Sequence, residues 1–312
     1  MLEQEQMVSL TTQYISSSCT AVVVTVGPAS SEPLKVITGI EYPAHIATGR
    51  NDEIVVASYM GHKVHVYDLD CKLQHTFGSS GFMDGQFMCP SGIAVDCHNR
   101  IFVSSMSKVD VFTMEGQFLT AIGHSGNGPL EFTNAADIAV NKAGDVYVAD
   151  AQNNRIQVLN RDLTYRTSFS EACKVLGSGH LNQPQGIAIN SEGNIYVADM
   201  MNHAVQAFTP DGKFILKFGK YGPATTPGAI CSPMAITTDG EDNVYVGSAT
   251  GTISIFDKEG NFLRQFGSYG SELGQFNQIK GMHIDRKGHL YVCEWTSNRI
   301  QIFQGSPSME ES

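Results

Sequence analysis

Val146-Tyr147-Val148-Ala149-Asp150-Ala151-Gln152-Asn153-Asn154-Arg155-Ile156-Gln157 decides the fold of this chain. Three apolar residues close on a small one, a polar corner turns the chain, and an alternating run through Leu159 leads away. Period-two alternation reads as a half-buried strand, so the stretch predicts two strands joined by a tight connection. The opening signature returns at Ile54-Val55-Val56-Ala57, Ile101-Phe102-Val103-Ser104, Ile195-Tyr196-Val197-Ala198, Val244-Tyr245-Val246-Gly247 and Leu290-Tyr291-Val292-Cys293. The mean step is about 47 residues, slightly above the ~40–45 of a four-stranded propeller blade.

Each copy has an apolar residue eight or nine positions upstream: Ile46, Ile93, Ile138, Ile187, Ile236 and Met282. Pro43, Pro90, Pro184 and Pro233 stand three residues before four of these, a placement that suits the entry to a strand. Glu115-Gly116, Asp211-Gly212 and Glu259-Gly260 supply hairpin turns further on. Fourth strands are expected over residues 73–77, 118–122, 165–169, 214–218 and 262–266. Six four-stranded antiparallel units predict an all-β fold, a six-bladed β-propeller, because a lone small sheet would leave one face wet. The sixth unit stops after residue 303, while residues 22–26 are an apolar run without a hairpin partner. Closure of the ring by this N-terminal strand removes exposed edges and is expected. The alternative makes the run the last strand of a preceding immunoglobulin-like domain. Residues 20–304 are assigned to the propeller, with flexible tails expected over 1–19 and 305–312.

Composition narrows the function. Among 312 residues, 20 Lys and Arg stand against 31 Asp and Glu, a net charge of −11. A surface that tracks phosphates draws its affinity from clustered cations. The densest cationic stretch is Arg286-Lys287, beside Asp285, so RNA is disfavoured as a partner. No apolar run approaches the ~20 residues of a membrane span, and Met1-Leu2-Glu3-Gln4-Glu5 is wrong for a signal peptide; no membrane and a cytoplasmic location are expected. The seven cysteines are scattered, with no C-x-x-C pair for zinc or redox chemistry, and suit a reducing compartment. Cys293 occupies a small-residue position and is expected in the core.

The blades resemble NHL repeats, whose hallmark is Ala-Asp, a short variable stretch, Asn, then Arg or His with Ile/Val-Gln. Ala149-Asp150 through Gln157 fits closely, Ala198-Asp199-Met200-Met201-Asn202-His203-Ala204-Val205-Gln206 nearly as well, and Cys293-Glu294-Trp295-Thr296-Ser297-Asn298-Arg299-Ile300-Gln301 is a conservative variant. The lead-in Gly85-Gln86-Phe87, repeated at Gly274-Gln275-Phe276, is also NHL-like. Two blades depart: residues 104–109 are shortened without an Asp/Arg pair, and residues 247–253 carry no charge. The Asp150–Arg155 pair is expected as an exposed bridge across the hairpin, worth only ~0.2–1 kcal/mol. The whole is similar to the C-terminal propellers of tripartite-motif NHL proteins. That resemblance implies a recognition module of a ubiquitin ligase system, binding substrate proteins, partners or RNA. No RING, B-box or coiled-coil heptad occurs in the sequence.

In a propeller the first strand of each blade lines the axis and starts on the face carrying the second-to-third-strand hairpins. That face collects Tyr59, Met60, Met106, Gln152, Met200, Met201 and Trp295 from the hairpins, and His45, Asn134, Gln185, Met234 and Lys280 from the strand entries. Methionine adapts to a partner and tryptophan anchors one. The expected site is therefore a protein- or peptide-binding face of Tyr59, Met60, Met106, Gln152, Met200, Met201, Met234 and Trp295. The bland reading buries such residues between blades. RNA binding is the alternative, and a metal-dependent lyase or hydrolase a second, since some NHL-like propellers hold a metal on the axis. Zinc needs about three converging ligands, yet of the ten histidines only His45 and His203 fall on this face. Asp96, Asp239 and Asp285 read as turn caps on the opposite face. No catalytic residue, metal ligand or cofactor is expected.

Overall fold

The computed structural model describes residues 30–170 and 179–305. Six four-stranded antiparallel sheets stand as blades around an axis. From the axis outward, blade 1 is Pro43–Thr48, Ile54–Ser58, Lys63–Tyr67 and Leu73–Phe77, and blade 2 is Pro90–Val95, Ile101–Ser105, Lys108–Phe112 and Phe118–Ile122. Blade 3 is Ala135–Val140, Val146–Asp150, Arg155–Leu159 and Tyr165–Phe169; blade 4 is Pro184–Ile189, Ile195–Asp199, Ala204–Phe208 and Phe214–Phe218. Blade 5 is Pro233–Thr238, Val244–Ser248, Ile253–Phe256 and Phe262–Phe266; blade 6 begins Ile279–Ile284, Leu290–Glu294 and Arg299–Phe303. All five expected fourth strands fall where their residues placed them.

The second strands are buried at every position because both of their faces meet a neighbouring blade. Val146, Val148 and Ile138 of blade 3, for example, pack on Phe102, Val109 and Val111 of blade 2. This explains why the signature is apolar in consecutive residues rather than alternating.

Ring closure comes from the N-terminal side, but through different residues. Lys35–Thr38 pairs antiparallel with Arg299–Phe303, Lys35 opposite Ile302 and Thr38 opposite Arg299, and fills the fourth place of blade 6. Residues 22–26, expected there, lie outside the described residues. Lys-Val-Ile-Thr offers one fully buried side chain, Ile37, so its apolar signal is weaker than that of residues 22–26.

The links between blades ride in the seams. Phe87, Phe132, Ile230 and Phe276 are completely buried plugs, each following a loop that leaves the preceding fourth strand at a glycine. Gly78, at φ +86°, shows why: a Cβ there would lie 2.3 Å from the Phe87 ring. A register shift also marks the top of every innermost strand, as at Pro43/His45, Ala135/Ile138 and Ile279/Gly281. An extra residue in one strand re-aims its neighbours, and these bulges turn His45, Asp137, Gln185, Met234 and Lys280 into the axial mouth.

Candidate functional site

The repeat hallmark builds the hairpin face from below. Arg155 is 3% exposed, not solvent-bathed. Its Nε donates to Asp150 Oδ2 at 2.8 Å, and its terminal nitrogens donate to the carbonyls of Asn127 (2.7 Å), Gly128 (2.7 Å) and Glu131 (2.9 Å). Gln157 adds a pair of bonds, accepting from Leu130 N at 2.9 Å and donating to Glu131 O at 2.6 Å. The exposed-bridge expectation is therefore corrected: the Asp-Arg-Gln set is a buried tether holding the preceding link. Arg299 repeats it on the carbonyls of Ser271, Glu272 and Gln275, with Gln301 accepting from Gly274 N. The shortened blade 2 keeps the device by other residues: Lys108 Nζ donates to Met83 O at 2.8 Å and to Asp110 Oδ1 at 2.9 Å.

Held this way, the links expose apolar tips on the hairpin side: Phe82 and Met83 in the link from blade 1, Tyr221 from blade 4, and Tyr269 and Leu273 from blade 5. Phe82 and Met83 are 73% and 74% exposed, more than any hairpin methionine in the expected site. Sequence reading missed them because the links carry no strand signature; aligning Phe87 with Phe276 would have located them. Of the expected residues, Met60, Met106, Gln152 and Met201 are exposed, while Tyr59, Met200, Met234 and Trp295 are half-buried. All sit at second-to-third-strand hairpins except Met234, which lines the axial mouth.

Trp295 and Tyr59 are brought together. Tyr59 and Tyr42 meet the indole edge-on, at centroid separations of 5.4 and 5.8 Å, across the seam between blades 6 and 1. Tyr42, at φ +50°, is fixed by its N–H donating to Asn298 Oδ1 at 2.9 Å. Lys280 Nζ lies 6.0 Å from the indole centroid, joining this aromatic cluster to the axis. Apolar side chains thus run round this face in an arc: Met201 and Tyr221, Tyr269 and Leu273, exposed Tyr42 with half-buried Trp295 and Tyr59, Met60, Phe82 with Met83, then Met106. Blade 3 is polar at the corresponding hairpin, with Gln152 and Asn153.

The axial mouth is lined by Ala44, His45, Ser91, Ala136, Asp137, Gln185, Met234 and Lys280. His45 Nε2 faces Asp137 Oδ1 at 3.5 Å, and Lys280 Nζ donates to Gln185 Oε1 at 3.0 Å across the axis. Burial pushes Asp137 up, and it pulls Lys280 down to about 8. Below the mouth a channel of about 250 Å³ runs past Thr48 and His283. His283 Nε2 is 2.8 Å from Thr48 Oγ1, and burial, then the nearby His45, bring it down to about 4. Asp137 was absent from the expected site. Glycine or alanine stands in its register in four blades (Gly92, Gly186, Ala235, Gly281), and a Cβ at Gly92 would meet Asp137 Oδ1 at 2.8 Å.

Among the described residues no group of three or more His, Cys, Asp or Glu is arranged to hold a metal. Asp96, Asp239 and Asp285 are turn caps, each Oδ1 accepting two backbone N–H groups of its own turn. His203 Nδ1 accepts from Ser232 N at 3.0 Å, which leaves it a structural part. No helix among the described residues is long and apolar enough to cross a membrane.

Comparison with known proteins agrees with the repeat. Residues 90–171 match a family described as a 6-bladed beta-propeller (DUF5128), and residues 181–208 match the NHL repeat. Protein brain tumor of Drosophila melanogaster is 29% identical over 114 residues, which span 35% of this chain and 10% of that protein. Among solved structures, a protein of unknown function from Bacteroides thetaiotaomicron superposes with a TM-score of 0.63 at 18% identity, covering 90% of this chain and 72% of that one. Virginiamycin B lyase from Staphylococcus aureus superposes with a TM-score of 0.57 at 15% identity, covering 89% of each chain. Its catalytically inactive variant with quinupristin gives 0.60 at 15% identity, covering 89% and 90%. The chain is a six-bladed propeller, one stretch of which matches the NHL repeat, and at these identities the lyases share its fold alone.

Proposed function

We propose that this propeller is a non-catalytic recognition scaffold that binds a protein or peptide on its hairpin face. The observation that carries the reading is the arc of apolar tips, Phe82 and Met83 foremost, whose link is tied down by the Lys108 bond to Met83 O. Monomeric proteins rarely leave a contiguous apolar patch exposed without a binding role, and rigid placement lowers the ordering cost of binding. The half-buried Trp295, flanked by two tyrosines, suits an anchor position beside the axis. Substrate selection within a ubiquitin ligase system is the finer role that the tripartite-motif NHL resemblance suggests. A cytoplasmic setting accords with the free, scattered cysteines.

The test uses the whole propeller to select binders from a phage-displayed peptide library, then compares each binder on wild type and on two variants. Met60→Ser with Phe82→Ser and Met83→Ser removes exposed tips alone; Trp295→Ala with Met200→Ala removes the anchor side. Loss of about tenfold or more in affinity on either variant is expected, equivalent to ~1.4 kcal/mol. Binders indifferent to both variants would refute the face.

A further inference from the structure

The mouth at the centre of the hairpin face contains an unsolved hydrogen-bonding problem, and its solution names the partner's chemistry; the inference rests on that face being the binding one. His45 Nδ1 stands 3.1 Å from the carbonyl oxygen of Ile93. A carbonyl only accepts, so the proton of the neutral ring sits on Nδ1 and leaves Nε2 an acceptor. Nε2 faces Asp137 Oδ1 at 3.5 Å. Neither atom has a hydrogen-bond partner, although Asp137 is only 3% exposed. The other carboxylate oxygen is occupied, accepting from Ile187 N at 2.9 Å. With the ring neutral and the carboxyl ionised, two buried acceptors point at each other with no donor between them, and a buried polar group left unpaired is costly.

The cation that lines the mouth does not fill this gap. Lys280 donates to Gln185 Oε1 and leans toward the Trp295 ring. The free space beside Asp137 is about 10 Å³, about what one water-sized group needs, which favours a compact head group over a planar guanidinium. On the hairpin side, the exposed carboxylates Glu41, Asp84 and Glu272 adjoin Tyr42, Phe82, Met83 and Leu273 in the chain, against the exposed cations Lys63 and Lys220. The arc is thus apolar with an acidic edge, which complements a basic, apolar segment.

We propose that the hairpin face binds a basic, apolar peptide segment of a partner protein, one lysine of which puts its ammonium into the axial mouth to donate to Asp137 Oδ1 and His45 Nε2. An ammonium is compact, carries three donors on a thin stem, and suits that space better than the wider fork of arginine. Lys280 opposes it as a like charge. Burial already weakens the hold of Lys280 on its proton, which lessens that repulsion.

The experiment continues the peptide selection. Binders that depend on Trp295 are expected to carry a lysine whose replacement by norleucine or arginine costs about tenfold in affinity. On Asp137→Asn, which still accepts from Ile187 N, lysine and norleucine peptides are expected to bind alike. Lys280→Gln is expected to tighten the lysine peptide, the sign opposite to that for an anion-binding mouth. A partner-free control titrates n-butylammonium into protein with ¹⁵N-labelled histidine and follows Nε2 of His45, which should move in wild type and stay still in Asp137→Asn. Trp295-dependent peptides indifferent to the norleucine change overturn this proposal and leave the binding face standing. Absence of any Trp295- or Phe82-dependent peptide removes both. A proton held between the pair at neutral pH, on His45 Nε2 or on Asp137 Oδ1, supplies the missing donor internally and also overturns it.

Discussion

Replacing Arg155 with alanine separates two views of the repeat hallmark. An exposed ion pair is worth ~0.2–1 kcal/mol. Arg155, however, is buried, and its removal strips donors from Asp150 and from the carbonyls of Asn127, Gly128 and Glu131. Breaking a buried pair from one side costs about 3–5 kcal/mol. Asp150 keeps bonds from Thr133 N at 2.9 Å and Asn153 Nδ2 at 2.8 Å, so the lower end applies. A loss near 3 kcal/mol lowers the melting temperature by about 5–6 °C, since each kcal/mol shifts a domain of this size by about 2 °C. Denaturant unfolding followed by circular dichroism measures the change, with Arg166→Ala as control. Arg166 is a surface partner of Asp145, its side chain 43% exposed, and should cost under ~1 kcal/mol. Equal losses for the two variants would refute the tether.

Phe87→Ala empties a seam plug and should destabilise by about 3–5 kcal/mol, read from the same denaturant curves. Ile37→Asp places a charge opposite Ile300 in the closing strand, and a loss above ~4 kcal/mol or failure to fold is expected. His283 holds its folded value near 4 against 6.5 for a free ring, so the folded protein resists a proton that the unfolded chain takes up. Stability should therefore fall as pH drops from about 6.5 to about 4, and His283→Gln should flatten that part of the profile. Lys280 works at the other end: between about 8 and 10.5 the unfolded chain binds the proton and the folded one does not, so stability contributed there rises with pH and the rise vanishes in Lys280→Gln.

The blades were legible because their signal is periodic and local. Val146 to Ala149 and its five counterparts are apolar at successive positions, short, and rich in β-branched and aromatic residues, which suits a strand covered on both sides. The closing strand was not legible: Lys35–Thr38 is too short and too polar to stand out, and its partner lies at the far end of the chain. The hairpin residues of the face could be located from topology alone, whereas their degree of exposure depended on packing across seams, as Trp295 between Tyr42 and Tyr59 illustrates. Arg155 looked like a surface residue because charged side chains usually are; its burial follows from link carbonyls that no sequence pattern announces. Asp137 escaped for the opposite reason: with His45 it departs from a column otherwise glycine and alanine, a signal of two residues in different blades.

Blade 6 has a mechanical corollary. Lys35 and Ile302 sit side by side, so the stretches before the first described strand and after the last leave the same end of the same sheet. Tension applied between those two flanks loads the hydrogen bonds of this pair one after another, as in peeling, and never all at once, as in shear. The ring should therefore yield at this clasp under low force while its other blades remain intact. Anything that grips both flanks could open the disc by pulling, with no change in solvent or ligand.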